Sequence, residues 1–288
     1  MAVSLRSWLV LACVIALASC VVLTTDPRAV IYGPDGLAVR TLTCKAAVEA
    51  VRAWAPSAPA AGALDPSRIR LLTWNIHKED DDGWREDLAR FAAENDLLLL
   101  QEVRLIDALT DILSQAGLRW GMASSFIYRD VDIGVVTASR APSVAQCTQR
   151  VTEPIIRLPK SSVVTWLPIA GSTKTLAVAN MHSINFALTL GAYEQQFAEI
   201  AQALAEHDGP VILAGDLNTW TDARLVALRE LGARLGLTEI PFESGRSRFY
   251  GHELDHILIR GLTVESAAAI SVKSSDHNPV TAVLRVAK

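Results

Sequence analysis

The segment Ala214-Gly215-Asp216-Leu217-Asn218-Thr219 carries the most information about the fold of this 288-residue chain. It follows the apolar run Pro210-Val211-Ile212-Leu213, and a helical pattern begins near Thr221. A short apolar run bounded in this way is typical of a buried strand. Because alternate residues of an extended segment point to the same side, we expect Asp216 and Asn218 to reach one site together. A carboxylate beside an amide suits a phosphate held by a metal ion, and the alternative is an Asx turn before a capped helix.

Length, charge and hydrophobicity indicate one large globular domain with short attachments. Half of the chain is hydrophobic, and its formal net charge is −4. Nothing in this composition indicates disorder. The mild negative charge argues against a protein built mainly to coat nucleic acid, which usually carries a basic stripe, but it leaves a nucleic-acid substrate open.

An apolar run near the N-terminus predicts export. It covers residues 8–23 after Arg6 and is shorter than the roughly 20 residues of a spanning helix, so it is typical of a secretory signal. The segment Leu17-Ala18-Ser19-Cys20 is similar to a bacterial lipobox, which would make Cys20 the lipidation site. A lipoprotein of the bacterial cell envelope is therefore expected. The alternatives are an uncleaved N-terminal membrane anchor or plain secretion.

The cysteines fit this interpretation. Cys13 lies within the signal and Cys20 at the lipobox, which leaves Cys44 and Cys147. In an oxidising compartment this pair is expected to form a disulfide, and two separate buried thiols are the alternative. The chain has no Cys-x-x-Cys spacing that would indicate zinc.

Sequence patterns divide the chain into three parts. Residues 1–23 are the signal or anchor, residues 24–67 a tether with a short helix and a Pro/Ala linker, and residues 68–288 the catalytic domain. Strands are predicted near residues 69–74, 96–100, 133–138, 163–169, 175–181, 210–213, 254–259, 263–270 and 279–284, and helices near 42–54, 84–95, 106–116, 193–204 and 223–235. Strands alternate with helices in places and follow one another directly in others. This mixture predicts an α/β fold with mixed sheets packed face to face and helices outside.

Polar residues recur where the apolar strand candidates end. They are Asn75, Glu102, His182, Asn185, Asp255, Asp276 and His277. Any one of them alone is more often a loop residue, an interior histidine or a turn cap. Their recurrence at strand ends, where α/β enzymes carry their chemistry, favours one shared site.

Six segments of the chain carry these residues in a fixed order. They are Thr73-Trp74-Asn75-Ile76-His77, Gln101-Glu102-Val103, Asn180-Met181-His182-Ser183-Ile184-Asn185, Gly215-Asp216-Leu217-Asn218, Leu254-Asp255-His256-Ile257 and Ser275-Asp276-His277-Asn278-Pro279. In this order they resemble the successive motifs of the endonuclease/exonuclease/phosphatase (DNase I-like) superfamily, over about residues 69–285. Within the superfamily they are most similar to the YafD-like bacterial branch.

The resemblance implies a four-layer α/β sandwich, in which two packed mixed β-sheets are flanked by helices. It also implies hydrolysis of phosphate esters with Mg²⁺, or Mn²⁺, as cofactor. Glu102 would be the main metal ligand with Asn75 beside it, and Asp276 a further ligand or an outer-shell residue. These oxygen donors suit a hard octahedral cation.

The same resemblance implies roles for the other motif residues. His277 would be the general base or orient the phosphate, and Asp255 would hold and polarise it. Asp216 and Asn218 would position the water and the phosphate, and His182 would contact the phosphate or protonate the leaving group.

Further residues are weaker candidates. Asn185, Arg246 and Arg248 are expected to bind substrate, although ordinary surface arginines are an equal alternative. Lys78 is a possible phosphate contact, but the acidic run at 79–82 that follows it predicts a solvated loop. Strand alternation points His256 away from the site.

The leading hypothesis is an exported, membrane-anchored, monomeric metal-dependent phosphodiesterase, phosphatase or nuclease. Its substrate would be nucleic acid, a phospholipid or a small phosphodiester. An extracellular DNase and a phospholipid phosphodiesterase are specific alternatives. A catalytically inactive binding module is a third, which the retention of the acidic and histidine residues disfavours.

Overall fold

The computed structural model describes residues 21–22, 31–33, 38–39, 42–54, 62–187 and 189–287. Residues 1–20 of the predicted signal, which include the lipidation site Cys20, and residues 55–61 of the predicted linker lie outside the described residues. Among the helices of these segments, none combines the length and the apolar character that crossing a membrane requires.

The described segments contain α-helices and many strands. The helices are α1 (Cys44–Ala53), α2 (Trp84–Glu94), α3 (Asp107–Gln115), α4 (Gly191–Ala205) and α5 (Asp222–Leu235). The strands are β1 (Val21–Val22), β2 (Ile31–Tyr32), β3 (Ala38–Val39), β4 (Ile69–Asn75), β5 (Leu97–Arg104), β6 (Arg119–Tyr128), β7 (Val131–Ser139), β8 (Ala145–Thr152), β9 (Pro159–Pro168), β10 (Thr175–His182), β11 (Val211–Asp216), β12 (Thr238–Glu239), β13 (Arg248–Phe249), β14 (His252–Glu253), β15 (Asp255–Arg260), β16 (Leu262–Ala269) and β17 (Val280–Val286).

Most of these strands belong to two mixed sheets. The first has the order β16-β17-β4-β5-β7-β6-β2-β3, with β1 also paired to β6. The second has the order β12-β15-β11-β10-β9-β8, and β13 and β14 form a separate hairpin. Within the described strands, each sheet has one parallel pair, β4 with β5 and β10 with β11. The prediction of mixed sheets is confirmed.

The two sheets pack face to face and are covered by helices on their outer sides. Leu71 and Leu99 of the first sheet share a buried core with Val178 and Ile212 of the second. Helices α2 and α3 cover the outer face of the first sheet, and α1, α4 and α5 cover that of the second. The chain therefore has the four-layer α/β sandwich that the resemblance implied.

Helix α5, which follows the segment Ala214–Thr219, shows how local sequence sets its bounds. The side chain of Thr221 accepts a hydrogen bond from the backbone N–H of Arg224 at 3.3 Å and so caps the helix. The helix ends at Leu235 and is followed by the C-cap residue Gly236, whose φ of 63° favours glycine. These two signals fix the element directly after the predicted site.

Strands β6 and β8 are not predicted by the sequence pattern. Polar residues dominate β8, yet Gln149 and Arg150 are buried. The guanidinium of Arg150 donates to the carbonyl of Ser124 on β6 at 2.8 Å, across the two sheets. A long-range partner thus makes burial of this strand possible, and no local periodicity reveals it.

The described residues before Arg68 contact the catalytic domain at several places. Strands β1 and β2 pair with β6 of the first sheet. Helix α1 packs on the second sheet, and Cys44 at its first position forms a disulfide with Cys147 of β8. The described parts of this segment therefore contact both sheets.

We predict that the Cys44→Ser/Cys147→Ser variant unfolds more easily than the wild-type protein. The two cysteines are 103 residues apart, so the crosslink restricts a long loop of the unfolded chain. An unstrained bridge of this length is expected to contribute about 5 kcal/mol to the free energy of unfolding. Urea unfolding of the oxidised protein measures this difference, with the reduced wild-type protein as control. Equal midpoints for the variant and the oxidised wild type would contradict a stabilising disulfide.

Candidate active site

The ends of the central strands bring the predicted site residues to one edge of the sandwich. Because paired parallel strands end at the same edge, Asn75 and Glu102 of the first sheet lie near each other, as do His182 and Asp216 of the second. Strand β15 runs antiparallel to β11, and its first residue, Asp255, is directly opposite Asp216. The loop that carries Asp276 and His277 leads into β17, which runs antiparallel to β4.

Gly215 allows the close approach of strands in the second sheet. Its φ is 142°, and a Cβ atom built on it would lie 2.0 Å from the carbonyl oxygen of Met181. No larger residue fits without moving β10 or β11. The glycine therefore places Asp216 beside His182, its register partner.

Asp216 is the centre of the cluster. Its Oδ2 accepts a hydrogen bond from Asn75 Nδ2 at 3.0 Å and lies 3.5 Å from His182 Nε2. The same oxygen lies 3.9 Å from His277 Nε2. His182 Nε2 also lies 3.6 Å from Glu102 Oε1. Residues from both sheets thus form one largely buried group, as the sequence predicts.

His277 is held in place from both sides. Its Nδ1 lies 2.8 Å from Asp255 Oδ2, so the predicted pair is in hydrogen-bond contact. Its backbone N–H donates to Ser275 Oγ at 3.0 Å, and its carbonyl accepts from Trp74 Nε1 at 3.0 Å. With Nδ1 engaged by the carboxylate, Nε2 is the ring nitrogen on the side of Asp216.

The two histidines have opposite pKa shifts. Burial lowers the pKa of His277, but the carboxylates of Asp255 and Asp216 outweigh it and raise this pKa to about 10. Burial and the ammonium of Lys160 lower the pKa of His182 to about 4, despite Asp216 and Glu102. At neutral pH the first imidazole is therefore a cation and the second is neutral.

Two lysines complete the cluster. Lys160 Nζ lies 2.9 Å from His182 Nε2 and 3.5 Å from Glu102 Oε1. Lys78 Nζ donates to Glu102 Oε2. Burial raises the pKa of Glu102, but His182, Lys160 and Lys78 together bring it well below its usual range. Of the two lysines, the sequence analysis identifies only Lys78. Lys160 is the second residue of β9 and lies outside any motif, so no local signal identifies it.

Unusual backbone conformations mark the site. Glu102 has a φ of 53° and lies where the β5–β7 pairing shifts register, which is typical of a bulge that redirects a side chain. Asn218 has a φ of 48°, and Lys78 has a φ of 58° within the short 3₁₀ turn His77–Glu79. Such strained positions cluster at functional sites.

The prediction of a solvated acidic loop is wrong for Glu79. This residue is buried, and both carboxylate oxygens accept from the backbone N–H of Arg104 at 3.1 Å. Burial raises the pKa of Glu79 to about 8, against the lowering effect of Arg104. The side chain turns inward because Arg104, at the end of β5, supplies a partner that the local sequence does not show.

Asn218 has the Asx geometry that is the alternative expectation for its segment, and its part in positioning phosphate stays a prediction. Its backbone N–H donates to Asp216 Oδ1 at 3.1 Å, which is the Asx geometry. Its side-chain amide donates to the carbonyl of Ser183 at 3.0 Å. Thr221 rather than Asn218 caps the following helix. Asn218 therefore orients Asp216 within the site.

Several candidate residues are engaged elsewhere. Asn185 Oδ1 accepts from Trp220 Nε1 at 2.8 Å. Arg246 is bonded to Glu239 at 2.9 Å, and Arg248 to Glu253 at 2.6 Å. Each of these three residues thus bonds to another side chain of the protein. Substrate binding by Asn185, Arg246 and Arg248 stays a prediction.

Two further residues have clear positions. Asp276 has an exposed side chain whose Oδ1 lies 3.9 Å from His77 Nδ1, so its part in metal binding also stays a prediction. His256 Nδ1 lies 2.7 Å from Glu239, consistent with the expectation that it points away from the site.

The donor set fits a hard divalent cation. Ligand atoms of Asp216, Asp255 and His277 all lie within 4.8 Å of one another. Asp255 Oδ1 is buried and has no hydrogen-bond partner among the described residues. With Glu102 and the amide oxygen of Asn75, the cluster offers the carboxylate and amide oxygens that Mg²⁺ and Mn²⁺ prefer. A cation bound at Glu102 would displace the ammonium of Lys78.

Comparisons with known proteins agree with this geometry. Residues 72–277 match the model of the Endonuclease/Exonuclease/phosphatase family. Among solved structures, an endonuclease/exonuclease/phosphatase from Beutenbergia cavernae DSM 12333 is similar with a TM-score of 0.60 and 19% identity, covering 77% of this chain and 72% of that one.

Two further solved structures have the same fold. The human Nocturnin catalytic domain with bound sulfate anion has a TM-score of 0.58 and 19% identity, covering 78% of this chain and 96% of that one. A mannosyl-6-phosphatase from Bacteroides thetaiotaomicron VPI-5482 has a TM-score of 0.60 and 16% identity, covering 75% and 99%. At these identities the similarity concerns the fold.

We predict that Asp255→Asn lowers the pKa of His277 in protein freed of metal by a chelator. Removing the carboxylate removes the main interaction that favours the imidazolium, so the value should fall from about 10 toward the ordinary 6.5. Imidazole titration by NMR measures it, with Asp222→Asn on the exposed start of α5 as control. An unchanged pKa would show that the two side chains do not act as a pair.

The raised pKa of His277 also makes the free energy of unfolding depend on pH. Because the folded pKa of His277 is raised, its contribution to the free energy of unfolding is fully present below about 6.5 and is lost as pH rises through about 10. The stability difference between wild type and Asp255→Asn should therefore shrink over this window.

Proposed function

We infer that this chain is an enzyme, because it belongs to the endonuclease/exonuclease/phosphatase family. We propose that it is a divalent-metal-dependent hydrolase of phosphate esters, exported to the bacterial cell envelope and attached to the membrane there. The observation that carries the catalytic part is the convergence of Glu102, Asn75 and Asp216 with His182 and His277 at one edge of both sheets.

The residues of the cluster would have different roles in hydrolysis. Glu102 and Asn75 would hold the cation, with Mg²⁺ as the preferred ion and Mn²⁺ as a substitute. A bound divalent cation neutralises charge on the phosphate and lowers the pKa of bound water. Asp216, kept in place by Asn75 and Asn218, would orient the attacking water between the two imidazoles.

Groups around Asp216 would bind and polarise the phosphate. His277 presents Nε2 on the side of Asp216 because Asp255 holds its other ring nitrogen. His182 and Lys160 lie in contact with each other and near Glu102, so both can reach oxygens of the same phosphate. Fixed donors of this kind stabilise charge that develops in the transition state.

Two of the similar structures support a phosphate-type ligand. One is a mannosyl-6-phosphatase, and the other contains sulfate, which is a tetrahedral anion like phosphate. The chemistry that these two names share is a tetrahedral oxyanion. We extend this chemistry to the present chain and place the phosphate of an ester at the edge of the sandwich that carries the cluster.

We predict that Glu102→Gln lowers Mg²⁺-dependent hydrolysis of bis-p-nitrophenyl phosphate at least about a hundredfold, because it removes a charged metal ligand while keeping its volume. Release of p-nitrophenolate measures the rate, and a melting curve checks the fold. Glu230→Gln, on the exposed face of α5, is the matched control. Equal rates and equal Mg²⁺ dependence in the Glu102 variant would contradict the metal assignment.

Export and lipidation rest on the N-terminal sequence and gain support from the disulfide between Cys44 and Cys147, which suits an oxidising compartment. We expect the full chain, expressed in a bacterium fed a radiolabelled fatty acid, to acquire the label and fractionate with membranes. Cys20→Ser should abolish the label, whereas Cys13→Ser should retain it. An unlabelled wild-type protein would exclude lipidation, and its distribution between membranes and medium would distinguish the anchor from secretion.

A further inference from the structure

A small cavity adjoins the phosphate-binding cluster. Its volume is about 180 Å³, comparable to an apolar cavity that holds benzene. One end is formed by the charged and polar side chains of the site, namely Lys78, Glu102, Lys160 and His182. The remaining wall is mostly hydrocarbon and includes Phe126, Ile133, Ile156, Leu158 and Phe186. We call this wall and the space it encloses the apolar pocket.

Large side chains of the apolar pocket are left facing solvent. Phe186 is 49% exposed and Ile156 is 41% exposed, and the neighbouring Ile155 is 51% exposed. Scattered apolar residues on a surface are ordinary, but apolar residues grouped around a cavity beside polar groups indicate a ligand site.

The backbone fixes the apolar pocket relative to the cluster. Gly134 of β7 lies so close to β6 that a Cβ atom on it would be 2.1 Å from the carbonyl oxygen of Ala123. The pairing of β6 with β7 shifts register between Ser124 and Phe126, directly at the wall. On the other side, Leu158 precedes β9, whose second residue is Lys160 of the cluster. A ligand held at Lys160 is therefore at a set distance from the hydrocarbon wall.

The polar atoms of the wall favour an aliphatic group over a nucleobase. Ser125 Oγ is bonded to Ser161 Oγ at 2.7 Å, and Ser161 Oγ donates to the carbonyl of Ala123 at 2.7 Å. The hydroxyl proton of Ser125 is thus committed to Ser161. Ser125 Oγ can still accept a hydrogen bond, but the acceptor atoms of a nucleobase buried against this wall would lose their hydrogen bonds to water without a donor from Ser125, which is costly. A hydrocarbon chain has no such requirement.

We propose that the apolar pocket binds a hydrocarbon chain carried by the phosphate ester, so that the substrate of this site is a lipid phosphate ester. The inference rests on the proposed function, because it places the phosphate at Lys160, His182 and the metal ligands. The inference adds that binding affinity comes from the hydrocarbon chain of the ligand as well as from its phosphate. The net charge of −4 agrees, since a nucleic-acid substrate would favour a basic surface.

The test uses methyl, butyl and hexyl phosphate as ligands of the full chain in the presence of Mg²⁺. Calorimetry gives their dissociation constants without requiring turnover, and inhibition of bis-p-nitrophenyl phosphate hydrolysis gives a parallel value. Each buried methylene should tighten binding about threefold to fourfold. Burial of three of the five additional methylenes of hexyl phosphate should therefore make it bind at least about 30-fold more tightly than methyl phosphate. Ile156→Ser/Phe186→Ser should reduce this ratio below about threefold while methyl phosphate binds as before.

The variants and outcomes separate the possible failures. Val226→Ser, which removes an apolar side chain of matching 50% exposure from α5, should keep the full chain-length dependence. Equal affinity of wild type for the three phosphates, or tighter binding of thymidine 5′-monophosphate than of hexyl phosphate, would overturn the inference. If the protein hydrolyses bis-p-nitrophenyl phosphate but binds the three alkyl phosphates equally, only the proposed pocket is contradicted. If affinity rises with the length of the alkyl group but no metal-dependent hydrolysis is found, the catalytic proposal is contradicted instead.

Discussion

The site depends on the buried amide pair of Gln101 and Asn180, which joins the two sheets. Gln101 Nε2 donates to Asn180 Oδ1 at 2.8 Å, and Asn180 Nδ2 donates to the carbonyl of Val136 at 2.9 Å. Gln101 precedes Glu102, and Asn180 lies two residues before His182. A hydrocarbon interface alone tolerates sliding, whereas buried amides are satisfied in few arrangements and so favour one. This amide pair therefore fixes how the strand ends of one sheet face those of the other.

The second constraint is charge. Glu102, Asp216 and Asp255 are held close together in a largely buried cluster, where like charges repel unless cations lie among them. His277 and the site lysines supply positive charge, and a divalent metal would supply more. The arrangement of anions and cations suits a phosphate, because its oxygens can face the cationic groups while carboxylates hold the metal.

The sequence analysis predicted those features of the fold and the site that depend on local sequence patterns. Motif residues at strand ends identified the cluster, including the contact between Asp255 and His277, and the mixture of elements identified the layered fold. It missed features created by packing between distant segments. Lys160 has no motif around it, and Glu79 turns inward only because Arg104 lies beside it. The apolar pocket likewise combines residues from several strands and loops, so no single stretch of the chain predicts it.

The central claim is that the two sheets enclose one metal site, held by Glu102 and Asn75 of the first sheet and facing the carboxylates of the second. Anomalous diffraction from crystals grown with Mn²⁺ tests it most directly, because the ion is located without reference to activity. We expect a peak coordinated by Glu102 of the first sheet and lined on its other side by a carboxylate of the second, Asp216 or Asp255. A protein that binds Mn²⁺ only through surface carboxylates such as those at 80–82, with no peak between the two sheets, would contradict the account.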